Sequence, residues 1–374
     1  MPVNAIDLPV RPIRNVYWSG AGAVFLAFCF SVIFCGMPVI ALAANWPTTV
    51  EGIAQYRGAD RQQMLEAGAK KEGALVYYTH NSNKVARDAV IDAFRKRYPF
   101  IDVSNYSASQ GAVEERVRQE DKVGRNVVDL LESGGVYIAE MRKERMTLPY
   151  YSPSVANLSP RAYLSAGDGK VYFATGVVSV GSIAYNTSLV PANLAPKTWD
   201  DLLNPAFREK IAVTGQSPLP QEWLAAAIKA KGADWVLKLK DQKIKRLNVS
   251  GAGIAQAVAS GQYPIGLAVY NTGFQVAKAE GNPIEWVALE PLQVVTQSLH
   301  LSAKAPHPHA AMLWVDWMLS EEGQAAYTKF GFITTSAKSE SIINKMSTFD
   351  RMSEPNYIED YKKWDALVTE IIGN

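Results

Sequence analysis

Four times in this chain a short β-rich run closes on a cluster of small and polar residues, and that recurrence restricts the fold more than any other feature. The run 73–78 (GALVYY) stops at Thr79, His80, Asn81, Ser82 and Asn83, and the run 127–131 (VVDLL) stops at Glu132, Ser133, Gly134 and Gly135. Later, 210–213 (KIAV) stops at Thr214, Gly215, Gln216, Ser217 and Pro218, and 265–270 (IGLAVY) ends at Asn271, Thr272 and Gly273. Val85, Ala89, Val90, Ala93 and Phe94 follow the first turn at helical spacing, and a helix around 223–229 follows the third. Pro99 ends the first helix, and 101–103 reads as the next strand. Alternation of this kind belongs to α/β domains, in which ligands sit at the carboxyl ends of the strands.

The first 44 residues stand apart from this pattern. Arg11 and Arg14 are followed by an uncharged apolar stretch, 22–44 (GAVFLAFCFSVIFCGMPVIALAA), which Gly36 and Pro38 interrupt and small residues close. That layout is a cleaved export signal over 1–44, an uncleaved membrane anchor being the alternative. Both cysteines, Cys29 and Cys35, lie inside it. A mature chain cut near Ala44 therefore offers no disulfide, no thiolate nucleophile and no cysteine-bound metal. With 38 Lys and Arg against 36 Asp and Glu the chain is nearly neutral, which argues against a nucleic-acid partner.

The roughly 330 residues that remain are too many for one ordinary core and suit two lobes. The β-rich stretch 171–187 has no helical period and is placed to carry the chain from one lobe to the other, and 292–301 to bring it back. Two such crossings make a hinge. Thr198 three residues before Asp201 reads as a helix start, and 310–330 as a strongly apolar helical region.

Four stretches carry a family resemblance: SIAYNTSLV, TWDDLLNPAFREKIAV, GAGIAQAVASGQYPIGLAVYN and HPHAAMLWVDWMLSEEGQAAYTKFG. In this order they resemble the periplasmic solute-binding proteins that include the ferric-ion-binding and thiamine-binding receptors. The resemblance implies the two-lobed α/β periplasmic-binding-protein fold of type II, each lobe a mixed sheet flanked by helices, with two hinge crossings. It implies lobe 1 over 45–178 and 295–335, and lobe 2 over 179–294 and 336–374. It also implies a monomer in the periplasm that captures a small-molecule solute between its lobes and presents it to an ABC permease in the inner membrane. No cofactor and no catalysis are expected; an exported hydrolase on the same frame is the alternative class.

Iron-binding members of that family hold the metal with a histidine in the first turn, a carboxylate after the third strand and two adjacent tyrosines late in the second lobe. This chain departs at each place: the histidine position falls near Asn83 with His80 earlier, the carboxylate position near Gly134 with Glu132 earlier, and one tyrosine stands in Tyr270-Asn271-Thr272. Fe(III) wants several anionic oxygens, so a small organic or oxyanion ligand is expected before iron. Hydroxyls, amides and backbone N–H groups would hold it.

The candidate ligand-binding residues are Thr79, His80, Asn81, Asn83, Glu132, Ser133, Gly134, Thr214, Gly215, Gln216, Ser217, Tyr270 and Asn271. Ordinary capping and turn roles compete with this reading at every one of them. The glycines let backbone approach a ligand closely, and Tyr270 offers a ring or a hydroxyl. His307-Pro308-His309 reads as a helix start before it reads as a metal site.

Overall fold

The computed structural model describes residues 45–81, 83–215, 219–350 and 357–373. The expected signal segment, together with Ser82, Gln216, Ser217 and Pro218, lies outside them. Among the described residues no helix is long and apolar enough to cross a membrane.

Following the chain, β1 (Ala74–Thr79), β2 (Asp102–Ser107), β3 (Leu130–Ser133), β4 (Thr147–Leu148), β5 (Tyr163–Gly167) and β6 (Lys170–Ala174) build a first sheet. The chain then leaves it, and β7 (Val177–Asn186), β8 (Ile211–Thr214), β9 (Lys245–Leu247), β10 (Ile265–Tyr270), β11 (Ile284–Val287) and β12 (Leu292–Thr296) build a second. It returns for β13 (Ser298–Ser302), then goes back for β14 (Ile333–Thr334) and β15 (Thr348–Asp350). The strand orders are β2-β1-β3-β13-β6-β5 and β15-β12-β7-β10-β8-β9, with β4 on β13 and both β11 and β14 on β7. Both sheets are mixed and helices flank each, so the two crossings expected within 171–187 and 292–301 are present.

Register fixes which edges of the sheets face each other. In the first sheet β1 runs parallel to β2 and β3, while β13, which starts at the crossing, is antiparallel to β3 with Ser298 opposite Ser133. The carboxyl ends of β1, β2 and β3 therefore point toward the crossing. In the second sheet β7 starts at the crossing and β10 is antiparallel to it, with Tyr270 opposite Gly181, while β8 is parallel to β10. The carboxyl ends of β8 and β10 point toward the crossing as well. The described residues of the four polar turns thus lie at the strand ends that point toward the crossing.

The crossing is tied by side chains. Thr175 donates its hydroxyl to Val177 O at 2.7 Å and accepts from Gln297 N at 3.1 Å. Thr335, on the third passage, places its hydroxyl 2.7 Å from Thr175 O and 2.9 Å from Gly176 O. Gly176 is required there, because a Cβ would stand 2.4 Å from the Met318 carbonyl oxygen.

Each sheet has its own aromatic-rich core. Trp314 is fully buried in the first, with ring centroids 5.0 Å from Tyr77 and 4.8 Å from Phe94. Trp199, Trp223 and Trp235 cluster in the second, and the C-terminal helix Tyr357–Ile372 adds Trp364, Val368 and Ile371 to it. That helix packs on the helix Leu219–Lys231 and also touches Gly135–Lys143 of the first sheet.

Two elements differ from the sequence reading. The apolar region 310–330 is two helices, Pro308–Met318 and Glu321–Thr328, because Ser320 interrupts it and caps the second by accepting from Gly323 N. The third strand sits at Leu130–Ser133 instead of 127–131, so Glu132 and Ser133 are strand residues. Asp129 at its entrance is a buried knot. Its carboxylate accepts from Val76 N at 2.7 Å and His307 N at 2.6 Å, and meets His307 Nδ1 at 2.9 Å.

His309 turns instead to Glu72, with Nδ1 at 2.6 Å. The two histidines are therefore spread over separate carboxylates, as helix-start residues. Asp129→Ala leaves two backbone donors buried without an acceptor and should cost about 3 kcal/mol. Urea unfolding would show this as a lower midpoint at an unchanged slope.

Candidate ligand site

The turn after β1 is built by its own amides. Thr79 is buried and its hydroxyl accepts from Asn81 N at 2.9 Å; the Asn81 amide oxygen accepts from Asn83 N at 3.0 Å. Asn83 caps the helix Lys84–Arg97 by accepting from Ala86 N at 3.1 Å. Nested side-chain-to-backbone bonds of this kind stiffen a turn that has no ladder partner. His80, half-buried, donates its N–H to Glu132 O at 3.3 Å, so the first turn and the end of β3 form one unit.

Glu132 is fully buried beneath this turn. Its Oε2 lies 3.4 Å from the Tyr327 hydroxyl, its Oε1 has no hydrogen-bond partner among the described residues, and burial raises its pKa from 4.5 to about 8. Burial thus favours its uncharged form. Ser133 is also buried and donates to Glu114 Oε1 at 2.7 Å. Gly134, with extended backbone, stands before the helix Gly135–Lys143, which has no side-chain cap.

On the second sheet, the Thr214 hydroxyl donates to Val249 O at 2.5 Å and Gly215 N to Leu247 O at 2.7 Å. A Cβ at Gly215 would press on Arg246 Cγ at 3.1 Å and Leu247 O at 3.2 Å, so glycine suits the close approach. Gln216 and Ser217 lie outside the described residues.

Ahead of Tyr270 the strand bulges between Gly266 and Val269, and Ala268 adopts φ +54, a conformation an alanine takes only under constraint. Tyr270 is half-buried and precedes the helix Asn271–Ala279, which also has no side-chain cap. Its ring rests against Gly251, where a Cβ would come within 2.8 Å. Asn271 accepts from Val180 N at 2.9 Å and donates to Gly331 O at 2.7 Å, which ties the helix start to the hinge strand.

The candidates therefore divide by accessibility. Thr79, Glu132, Ser133 and Thr214 are buried supports, whereas His80, Asn83, Gly215 and Tyr270 keep accessible surface at the facing edges. Sequence reasoning missed Arg87, Ser107 and Tyr327. Arg87 donates to Asn81 O at 2.8 Å and to Ser107 Oγ at 3.1 Å, and Tyr327 accepts from Asn81 Nδ2 at 3.4 Å. Their positions along helices and at a strand end carried no polar-turn signal.

The family described as bacterial extracellular solute-binding protein matches residues 74–333, more than half of the chain, and the protein belongs to that family. Its members are binding proteins rather than enzymes. No curated protein is a detectable sequence relative of this chain. Among solved structures, iron-bound HitA from Pseudomonas aeruginosa is 19% identical, with a TM-score of 0.62 over 80% of this chain and 99% of that one. The periplasmic binding protein AfuA from Actinobacillus pleuropneumoniae, with fructose-6-phosphate bound, is 19% identical at a TM-score of 0.67, over 80% and 98%. The periplasmic binding protein P5PA is 20% identical at 0.65, over 80% and 99%. These likenesses establish the two-lobed periplasmic-binding-protein fold of type II.

Two buried titratable groups give the first lobe a distinctive pH response. Glu132, with a folded pKa of about 8 against 4.5, favours folding fully below pH 4.5 and loses that contribution as pH rises toward 8. His300, buried with Nε2 3.3 Å from Ser133 O, has its pKa pushed down by burial from 6.5 to about 3. Its contribution is present above pH 6.5 and is lost as pH falls toward 3. Glu132→Gln should remove only the first slope. The difference in urea-derived stability between wild type and variant should then change by about 1.4 kcal/mol per pH unit across that window. A constant difference would mean that Glu132 is ionised in the fold.

Proposed function

We propose that this protein is a periplasmic receptor that closes two lobes on a small organic solute bearing an oxyanion group and hands it to an ABC permease. In this reading residues 1–44 are an export signal, lobe 1 spans 45–178 and 295–335, and lobe 2 spans 179–294 and 336–374. The mature chain acts as a monomer and changes no bonds in its cargo.

One observation carries the reading. The helices Gly135–Lys143 and Asn271–Ala279, one on each sheet, begin at the facing edges without a side-chain cap. Their first-turn N–H groups and the positive ends of their dipoles are what an oxyanion bridging the lobes would use. Asn83, by contrast, already caps its own helix. Iron is less well served: Glu132 is fully buried beneath its turn and Tyr270 is the one phenol in the four turns, which is poor provision for a hard trivalent cation. The iron-bound and sugar-phosphate-bound neighbours show that both cargo types occur on this frame.

Thermal unfolding with fructose 6-phosphate, citrate, inorganic phosphate and Fe(III) separates these cases. A solute at a hundred times its Kd stabilises by about 2.7 kcal/mol. We expect an oxyanion-bearing organic compound to raise the melting temperature and to be recovered unchanged. Tyr270→Asp, which caps the helix with a negative charge, should abolish that rise while Tyr270→Phe retains it. Stabilisation by Fe(III) alone would overturn the oxyanion reading, and consumption of the compound would overturn capture.

A further inference from the structure

We propose that Tyr327 and Glu132 are positioning residues, a buried strut beneath the first turn that holds Asn81, and through it the helix-capping Asn83, in place. The inference rests on the first turn being part of the ligand site.

The geometry is a short chain of neutral groups. The Tyr327 hydroxyl, on the helix Glu321–Thr328, stands 3.4 Å from Asn81 Nδ2 and 3.4 Å from Glu132 Oε2. All three residues are buried, Asn81 being the most exposed at 5%. The Asn81 amide donates to the phenol oxygen, and the phenol donates in turn to Glu132 Oε2. The main chain repeats the link, since His80 N donates to Glu132 O at 3.3 Å. Displacing the Glu132 carboxyl therefore pulls on the turn through Tyr327 and Asn81, while the main-chain bond keeps His80 on β3.

No cation forms an ion pair with Glu132 among the described residues. Arg87, from the helix Lys84–Arg97, donates to Asn81 O and Ser107 Oγ, has Asp88 3.9 Å from its Nε, and its charge acts on Tyr327. Glu114, from the helix Gln110–Lys122, meets the Ser133 hydroxyl and adds negative charge. His300 on β13 is uncharged above about pH 3, and Arg142 and His80 act on His300. Burial without a counterion favours the neutral carboxyl, which is why its titration is displaced upward.

When the turn opens, Glu132 meets water and ionises as an ordinary carboxylate. Opening therefore becomes easier as pH rises from the ordinary carboxylate range toward the folded value, and levels off above it. Tyr327→Phe removes the link between amide and acid while leaving the acid buried.

Hydrogen exchange of the ligand-free protein, corrected for the intrinsic pH dependence of amide exchange, tests this directly. In wild type, protection of the His80, Asn81 and Asn83 amides should fall by up to about tenfold per pH unit between about pH 5 and 8 and then level off. In Glu132→Gln it should be flat, and in Tyr327→Phe it should be reduced at every pH. The β10 amides should be unaffected in all three. An infrared carbonyl band of a protonated carboxyl, present at pH 7 in wild type and missing in Glu132→Gln, reports the proton independently.

Equal pH profiles in wild type and Glu132→Gln, or no such band, would overturn the strut. Because no solute is added, that failure leaves the capture reading standing. Conversely, loss of the capture reading in the thermal assay leaves the strut measurable.

Discussion

The constraint on which everything else depends is the knot where the chain changes sheets. β6 gives way to β7 through Thr175 and Gly176, β12 to β13 through Gln297, and the third passage enters β14 and Thr335. Three passages meet there, joined by two threonine hydroxyls. β13 runs antiparallel to β3 and β10 antiparallel to β7, so the carboxyl ends of β1, β3, β8 and β10 all point toward this crossing.

Those turns are polar without being charged. The first is rigidified by nested amides, burial of Glu132 beneath it favours the neutral acid, and two helices begin at the hinge-side strand ends without a side-chain cap. Under the proposed function such a site meets an anion with oriented dipoles instead of formal cations. Its cost is paid in the interior, where a neutral acid and a neutral histidine make the first lobe sensitive to both ends of the pH range.

Much of the fold was legible because period and punctuation agreed. The run 73–78, the cap at Asn83 and the stop at Pro99 outline a strand and helix that the structure places at Ala74–Thr79 and Lys84–Arg97. The error at β3 was one of phase. Asp129 sits mid-run in VVDLL, and nothing local reveals that its carboxylate binds residues as distant as Val76 and His307. The same limit applied to the site. Polar turns could be listed from sequence, but which members are supports depends on Tyr327 and Arg87, far away in the chain or facing inward from a helix. Thr198 does not cap the short helix Asp200–Leu203, which Trp199 precedes without a side-chain cap; instead Asp201 accepts from Thr198 N at 2.8 Å and from its hydroxyl at 2.9 Å.

The helix Pro308–Met318 has a mechanical consequence. Its first turn is lashed to Asp129 and Glu72, and its last carbonyl bears on Gly176, leaving no room for a side chain. Between these ends Trp314 is clamped by Tyr77 and Phe94. A rod held at both ends and along its length resists bending, so the helix and the strand residue Tyr77 it grips are coupled directly to the Gly176 crossing.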